Sequence, residues 1–207
     1  QFYEKLQKEI NSSKNIEIFS AYIKLKALKE LTKDINKNAE VTIVARWQYN
    51  DLISNASDLE VFNYCKSKNW RFGIDITMHQ KIYRFNKDIV LLGSNNLTLS
   101  GLGLTKNENT EAGTVLHIKD DNALNQYYKN ILWLDENIFN QLSKELKKGI
   151  KNKSQSDWSK EVKELFEKPI TFLFTYDFPE EYPNISSNIN FMTLINNDIK
   201  NSFLNSK

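Results

Sequence analysis

A single cysteine, Cys65, in 207 residues excludes an intrachain disulfide and any thiolate zinc cluster. Histidine is almost as scarce. His79 and His117, with that one thiol, make no His/Cys ligand set, so no metal is expected; no other cofactor is expected either. The lone thiol suits a reducing, cytoplasmic compartment. Long apolar runs are missing too: none approaches the roughly 18 residues that a membrane span requires, and no membrane partner is expected. Excess charge is small, a formal net +2. That is too little to announce a nucleic-acid binder, so any basic site must be local. There is no internal repeat of the kind that marks solenoids. The opening Gln1-Phe2-Tyr3-Glu4 meets charge at once, unlike a signal peptide, and its lack of an initiator Met leaves open that sequence precedes it.

What is present fits a soluble globular chain, 40% hydrophobic and 26% charged. Its length suits one domain with an appendage. Residues 16–23 and 40–45 are expected strands, as is the alternation of Phe72, Ile74 and Ile76. Leu25, Leu28, Leu31 and Ile35 fall at helical spacing between the first two. A second helix is expected over 57–68, with Ser57 as N-cap and Glu60 completing a capping box. Strands at 88–92 and 111–118 follow, then one helix from about 121 to 148. Strand, helix, strand, helix, strand predicts an α/β fold, an α-β-α sandwich with a mixed, largely parallel sheet. Composition shifts near Gly149, which places one domain at 1–150. Residues 151–207 are then a polar linker, a short helix near 157–167 and a loop-rich tail holding all three prolines, Pro169, Pro179 and Pro183. The tail's Phe172, Phe174, Tyr176 and Phe178 are too apolar for a free linker; the core, a partner subunit or a further module could each cover them.

The informative stretch is 78–113. His79 and Lys81 are two apart, so on extended backbone they face the same way. Ile89 to Leu92 would form the neighbouring strand, and Gly93-Ser94-Asn95-Asn96 turn off its end, where α/β sheets commonly place ligands. The full set, His79-x-Lys81, four residues, Asn86, six residues, Gly93-Ser94-x-Asn96, resembles the H-x-K-x4-D-x6-G-S-x-N pattern of the phospholipase D superfamily at every spacing. Asn86 replaces the usual Asp; the resemblance implies a supporting role for that position, and Asp88 is a candidate to share it. Asn109-Thr110-Glu111 resembles the family's downstream N-x-E. Ala45-Arg46-Trp47 and Ala56-Ser57-Asp58-Leu59-Glu60 are similar to a bacterial branch with one motif per chain, which includes metal-independent restriction endonucleases and nuclease domains fused to helicases. The resemblance covers roughly residues 15–150.

It implies a phosphodiesterase that needs no metal. His79 would attack phosphorus as a neutral imidazole and form a covalent phosphohistidine. Glu111 would orient the ring, with Glu108 as a competitor for that role. Lys81, Ser94 and Asn96 would donate to the non-bridging oxygens as charge grows on them. Arg46 and Asn109 are candidate substrate contacts. A second tripeptide, His117-Ile118-Lys119, has no Gly-Ser-x-Asn at the right distance and is expected to be structural. Trp47 and Trp70 are expected to pack. Lys144, Lys147, Lys148, Lys151 and Lys153 read either as a solvated helix end or as phosphate-backbone contacts. DNA is the expected substrate, and a homodimer with a shared site is expected because one imidazole cannot both attack and protonate the leaving group. A fused or associated recognition or helicase module is a further expected partner. A lipid or small-diester phosphodiesterase and a catalytically silent DNA-binding or assembly module are the alternatives.

Overall fold

The computed structural model describes residues 2–118, 127–152 and 156–166. The chain begins with α1 (Phe2–Ser12), β1 (Asn15–Ser20), α2 (Leu25–Leu31) and β2 (Glu40–Ala45). Two short helices, α3 (Tyr49–Ile53) and α4 (Val61–Ser67), lead to β3 (Arg71–Ile74). A meander follows: β4 (Lys81–Phe85), β5 (Ile89–Gly93) and β6 (Gly113–His117). A 3-10 turn (Tyr128–Asn130), the edge strand β7 (Leu132–Trp133), α5 (Glu136–Asn152) and α6 (Lys160–Lys163) complete the described chain.

The strands lie in one seven-stranded sheet, ordered β6-β5-β4-β1-β2-β3-β7. The mixed α/β sheet matches the sequence reading, but the balance of pairing differs. β1–β2 and β2–β3 are parallel, whereas β1–β4, β3–β7, β4–β5 and β5–β6 are antiparallel. The reason lies in the connections. Parallel neighbours need a crossover of a dozen residues or more, and β4 and β5 are joined only by residues 86–88. Asn86 and Lys87 make that turn at φ 48° and 70°.

One face of the sheet carries the large apolar cluster. Ile16, Ile18, Ile43, Phe72, Tyr83 and Leu91 meet Leu6 and Ile10 of α1, Leu28 of α2, Phe62 of α4 and Leu142 and Leu146 of α5. Phe62 stacks on Phe139 at 4.6 Å. On the other face Phe19 and Val44 pack with Met78, Tyr127 and Ile131, so among the described residues the second outer layer is the stretch around the 3-10 turn. Gly73 is required there: a Cβ would lie 2.3 Å from the Ile131 side chain and 2.9 Å from Trp133. This face also buries an ion pair, Arg84 to Glu17 at 2.8 Å, with Tyr128 donating to the same carboxylate.

Several local expectations change. The helix expected over 57–68 starts only at Val61, with Glu60 as its N-cap and no side-chain cap bond. Ser57 and Asp58 serve another element. Ser57 Oγ accepts from Ile23 N at 3.2 Å, and Asp58 Oδ2 accepts from Leu25 N at 2.7 Å, capping α2 from across the chain. The single helix expected over 121–148 is interrupted, apart from 121–126, which lie outside the described residues. Leu132–Trp133 pair with Gly73–Ile74, and the helix begins after Asp135, whose Oδ1 accepts from Ile138 N at 2.8 Å. α1 and α3 were not anticipated; Phe2, Leu6 and Ile10 of α1 lie at i, i+4, one face of a helix.

Helix α5 runs past the expected boundary at 150 as far as Asn152. Beyond it Trp158 and Val162 are buried in the same core, and Trp158 Nε1 donates to Trp47 O at 3.2 Å. All described residues belong to one compact unit; the expected loop-rich tail, with its prolines, lies outside the described residues. No helix among the described residues is long and apolar enough to cross a membrane.

Candidate active site

Four strand ends meet at one edge of the sheet. Ser20 at the end of β1 pairs with Ala45 at the end of β2 and with Lys81 at the start of β4. β5 returns to that edge at Gly93, opposite Gly113. Gly93 fits because a Cβ would come within 2.7 Å of Asn95 Oδ1 and 2.8 Å of Ala112 O. The turn after it is tied down from several sides. Buried Asn95 donates to Gly101 O at 2.7 Å, and its carbonyl accepts from the Tyr83 hydroxyl at 3.1 Å. Leu97 N donates to Ser20 Oγ at 2.9 Å. Asn96 Oδ1 accepts from Tyr22 N at 3.2 Å, which fixes the amide so that its NH2 is a donor at the strand ends.

His79 is exposed and stands two residues before β4, not in it. Lys81 Nζ donates back to His79 O at 3.0 Å. The ring faces Arg46, with NH1 3.3 Å from Nδ1. Arg46 is itself clamped. Its Nε and NH2 donate to the two oxygens of Asp51 at 2.8 and 2.7 Å, and NH2 also donates to the Tyr22 hydroxyl at 2.8 Å. The guanidinium lies 4.8 Å from the Tyr22 ring centroid. Partial burial, the Lys81 ammonium and the Arg46 guanidinium, in that order, hold His79 below the usual histidine pKa, and Asp51 opposes them. Partial burial and Arg46 likewise lower Lys81, against the pull of Glu111. The hydrogen bond to Asp51 raises Arg46 further.

Ser94 and Glu111 face each other across β5 and β6. Ser94 Oγ donates to Glu111 and accepts from Ala112 N at 3.1 Å. Asn109 Nδ2 donates to the other Glu111 oxygen at 2.9 Å. Glu111 precedes β6 instead of opening it. Within the chain its carboxylate is engaged by Ser94 and Asn109, and the hydrogen-bonding neighbour of the His79 ring is Arg46.

A sequence model described as "Cardiolipin synthase, PLD-like domain" matches residues 6–135, which contain every residue of this site. The chain belongs to the phospholipase D-like family. It is therefore a phosphodiesterase, and His79, Lys81, Ser94, Asn96 and Glu111, the residues expected to carry its chemistry, lie toward one edge of the sheet. Solved structures with a similar fold include NucT from Helicobacter pylori, at 18% identity over 62% of this chain and 83% of that one, TM-score 0.45. Nuc from Salmonella typhimurium, described as a phospholipase D family member, is 19% identical over 61% and 80% of the two chains, TM-score 0.43. A yeast tyrosyl-DNA phosphodiesterase 1 is 19% identical over 62% of this chain and 35% of that one, TM-score 0.37. No curated protein matches by sequence.

Asn86 is the position at which the sequence departs from the expected pattern, and the structure shows what its side chain holds. Its Oδ1 accepts from Lys14 N at 2.9 Å and Asn15 N at 3.3 Å, and its Nδ2 donates to Ser13 Oγ at 3.2 Å. It joins the β4–β5 turn to the start of β1, at the sheet end away from His79. A carboxylate could accept the same two bonds, while Asn adds a donor and tolerates the positive φ. Asn86 makes these bonds itself, and Asp88 takes no part in them. Glu108 is exposed and makes no hydrogen bond to the site. His117 ends β6 opposite Ile89, at the far end of the sheet. Trp47 packs, 4.8 Å from Phe72. Trp70 is half-buried and meets Tyr64 edge-on at 5.6 Å. Lys144, Lys147 and Lys148 are exposed on α5.

Asp51 and Tyr22 were missed by sequence reasoning. The available signal was weak: an acid five residues after an arginine at a strand end, and a tyrosine just beyond a neighbouring strand end. Among the described residues no cluster of three His, Cys, Asp or Glu side chains could hold a metal ion.

Proposed function

We propose that this phosphodiesterase is a nuclease that cleaves DNA without a metal, through a covalent phosphohistidine on His79. The observation that carries the reading is the setting of His79, an exposed imidazole between two cations, Lys81 and Arg46, that favour its neutral form. A neutral ring adds no charge against an anionic diester, and the same cations attract that diester. A ring nitrogen forms the P–N bond as the P–O bond to the leaving strand breaks. Water then attacks the phosphohistidine and restores the imidazole. Lys81 and the Asn96 amide donate to the non-bridging oxygens. Ser94 and Asn109 act through Glu111, which they hold. Arg46 NH1 is a further donor toward phosphate. The exposed lysines of α5 suit contacts with a polyanionic backbone.

In-line displacement places the leaving oxygen opposite the nucleophile, so its proton comes from a second group. One chain has one His79. A homodimer with a two-fold axis through the site supplies the second imidazole, one ring attacking and the other protonating.

Plasmid DNA and a fluorescent phospholipid, each in excess EDTA, test the substrate and the metal requirement. DNA cleavage that survives chelation is expected. Phospholipid turnover without DNA cleavage, or activity that EDTA abolishes and magnesium restores, overturns the reading. Acid-labile, base-stable phosphate on His79 is expected with a slow substrate. For assembly, mixed dimers of wild type and His79→Ala should be nearly inactive; about half the wild-type rate shows two independent sites.

A further inference from the structure

The Arg46 guanidinium has five N–H groups, and their partners can be counted. Nε–H goes to one Asp51 oxygen. The two NH2 hydrogens go to the other Asp51 oxygen and to Tyr22 OH. NH1 has two hydrogens left, and its contact among the described residues is His79 Nδ1 at 3.3 Å. The clamp is rigid for physical reasons. Asp51 is buried and held by Gln48 N at 3.2 Å as part of the α3 capping box. The next residue, Trp47, is fully buried at φ 38°. A bulky side chain there strains the backbone by about 1–2 kcal/mol, so the surrounding packing fixes the direction in which Arg46 leaves the strand.

A guanidinium can only donate. Where its N–H points at Nδ1, that nitrogen must carry the lone pair and the ring proton must sit on Nε2. Nδ1 is then covered by Arg46 and Nε2 carries the proton, so neither ring nitrogen is free to attack. An anionic oxygen is a stronger acceptor than a neutral ring nitrogen, so a bound phosphodiester draws NH1 away, and the ring proton can then move to Nδ1 and leave Nε2 with a free lone pair.

We propose that Arg46 is a positioning residue for His79: held by Asp51 and Tyr22, it fixes the free enzyme's ring as the Nε2–H tautomer and transfers NH1 to the phosphodiester when substrate binds. The inference rests on the phosphodiesterase reading of the site, and it makes the nucleophile available only beside its substrate. The charged and titratable groups around the ring are Lys81 and Arg46, which oppose protonation, and Asp51, which favours it; Glu111 acts on Lys81, and Tyr22 on Arg46.

Side-chain 15N spectra of the free chain test this directly. The chain has two histidines, and His117→Gln assigns them. The Nε2–H tautomer is expected to predominate at His79, with a titration midpoint below that of an ordinary histidine. Arg46→Met should release the tautomer preference to a mixture and raise the midpoint, leaving His117 unmoved. Saturating dimethyl phosphate should shift the wild-type tautomer in the same sense as Arg46→Met. Arg46→Lys, which keeps the charge but loses the fork onto Asp51, and Asp51→Asn should each weaken the preference; they decide the matter if Arg46→Met does not fold. An unchanged His79 tautomer in the folded variants overturns the proposal even if DNA cleavage is normal. The expected tautomer in an enzyme that cleaves no DNA overturns the nuclease reading instead.

Discussion

His79-Gln80-Lys81 and His117-Ile118-Lys119 are one local pattern written twice in the sequence. The first enters β4 at the edge where β1 and β2 end. There His79 meets a clamped guanidinium and Lys81, with the Gly93 turn nearby. The second leaves β6 at the opposite edge, where His117 pairs with Ile89; Lys119 lies outside the described residues. As sequence, the two tripeptides are indistinguishable in their histidine and lysine spacing. What separates them is which neighbours the sheet order delivers. β4 reaches the site edge because it runs antiparallel to β1, and the short turn at Asn86 returns β5 to it with Gly93, Ser94 and Asn96.

The sharpest break of this comparison is His79→Ala. It should lower DNA cleavage by more than about 10⁴-fold, as loss of a covalent nucleophile does. The melting temperature should barely move, since the ring is exposed. Lys81→Ala and Asn96→Ala should each cost about 10²–10³ in kcat/KM. Lys81→Met also carries a pH signature. Lys81 disfavours the imidazolium, so removing its charge should move the acid limb of the kcat/KM profile to higher pH. An unmoved limb would separate Lys81 from the protonation of His79.

A third change leaves the site and strikes the sheet's other face. Arg84 is 1% and Glu17 6% exposed. Arg84→Met strands a buried carboxylate and should destabilise the fold by about 3–5 kcal/mol, read by denaturant unfolding. The smallest effect belongs to the second tripeptide. His117→Ala should leave cleavage unchanged and stability within about 0.5 kcal/mol. A large loss of cleavage from that variant would erase the distinction between the two copies.

Local signals were readable where a short stretch settles its own structure. β2 lies at Glu40–Ala45 as its alternation indicates, and the Gly-Ser-x-Asn turn follows β5 as expected. Signals failed where the partner was remote. Ser57 and Asp58 look like the cap of the helix that follows them, yet they hold Ile23 and the start of α2. Leu132–Trp133 sit inside a helical apolar pattern, yet the open edge of β3 captures them as a strand. Cys65 resolves differently: one buried thiol, pushed up to about 12 by desolvation, which should resist alkylation until the chain unfolds.

The sequence by itself determined the chemistry on offer: one motif with His79, Lys81, Ser94 and Asn96 at family spacing, a downstream Glu111, and too few soft ligands for a zinc centre. Those follow from residue identity and from the two-residue repeat of extended chain. Only the tertiary structure decided how the groups are used. It set Arg46 against the ring of His79 and gave Glu111 to Ser94 and Asn109. It tied Asn86 to the start of β1 and sent His117 to the far edge. Apart from Asn109–Glu111, which lies within one loop, each of these contacts joins separate strands, turns or loops of the chain. Strand order and register choose such partners, and neither quantity is written in any single stretch of residues.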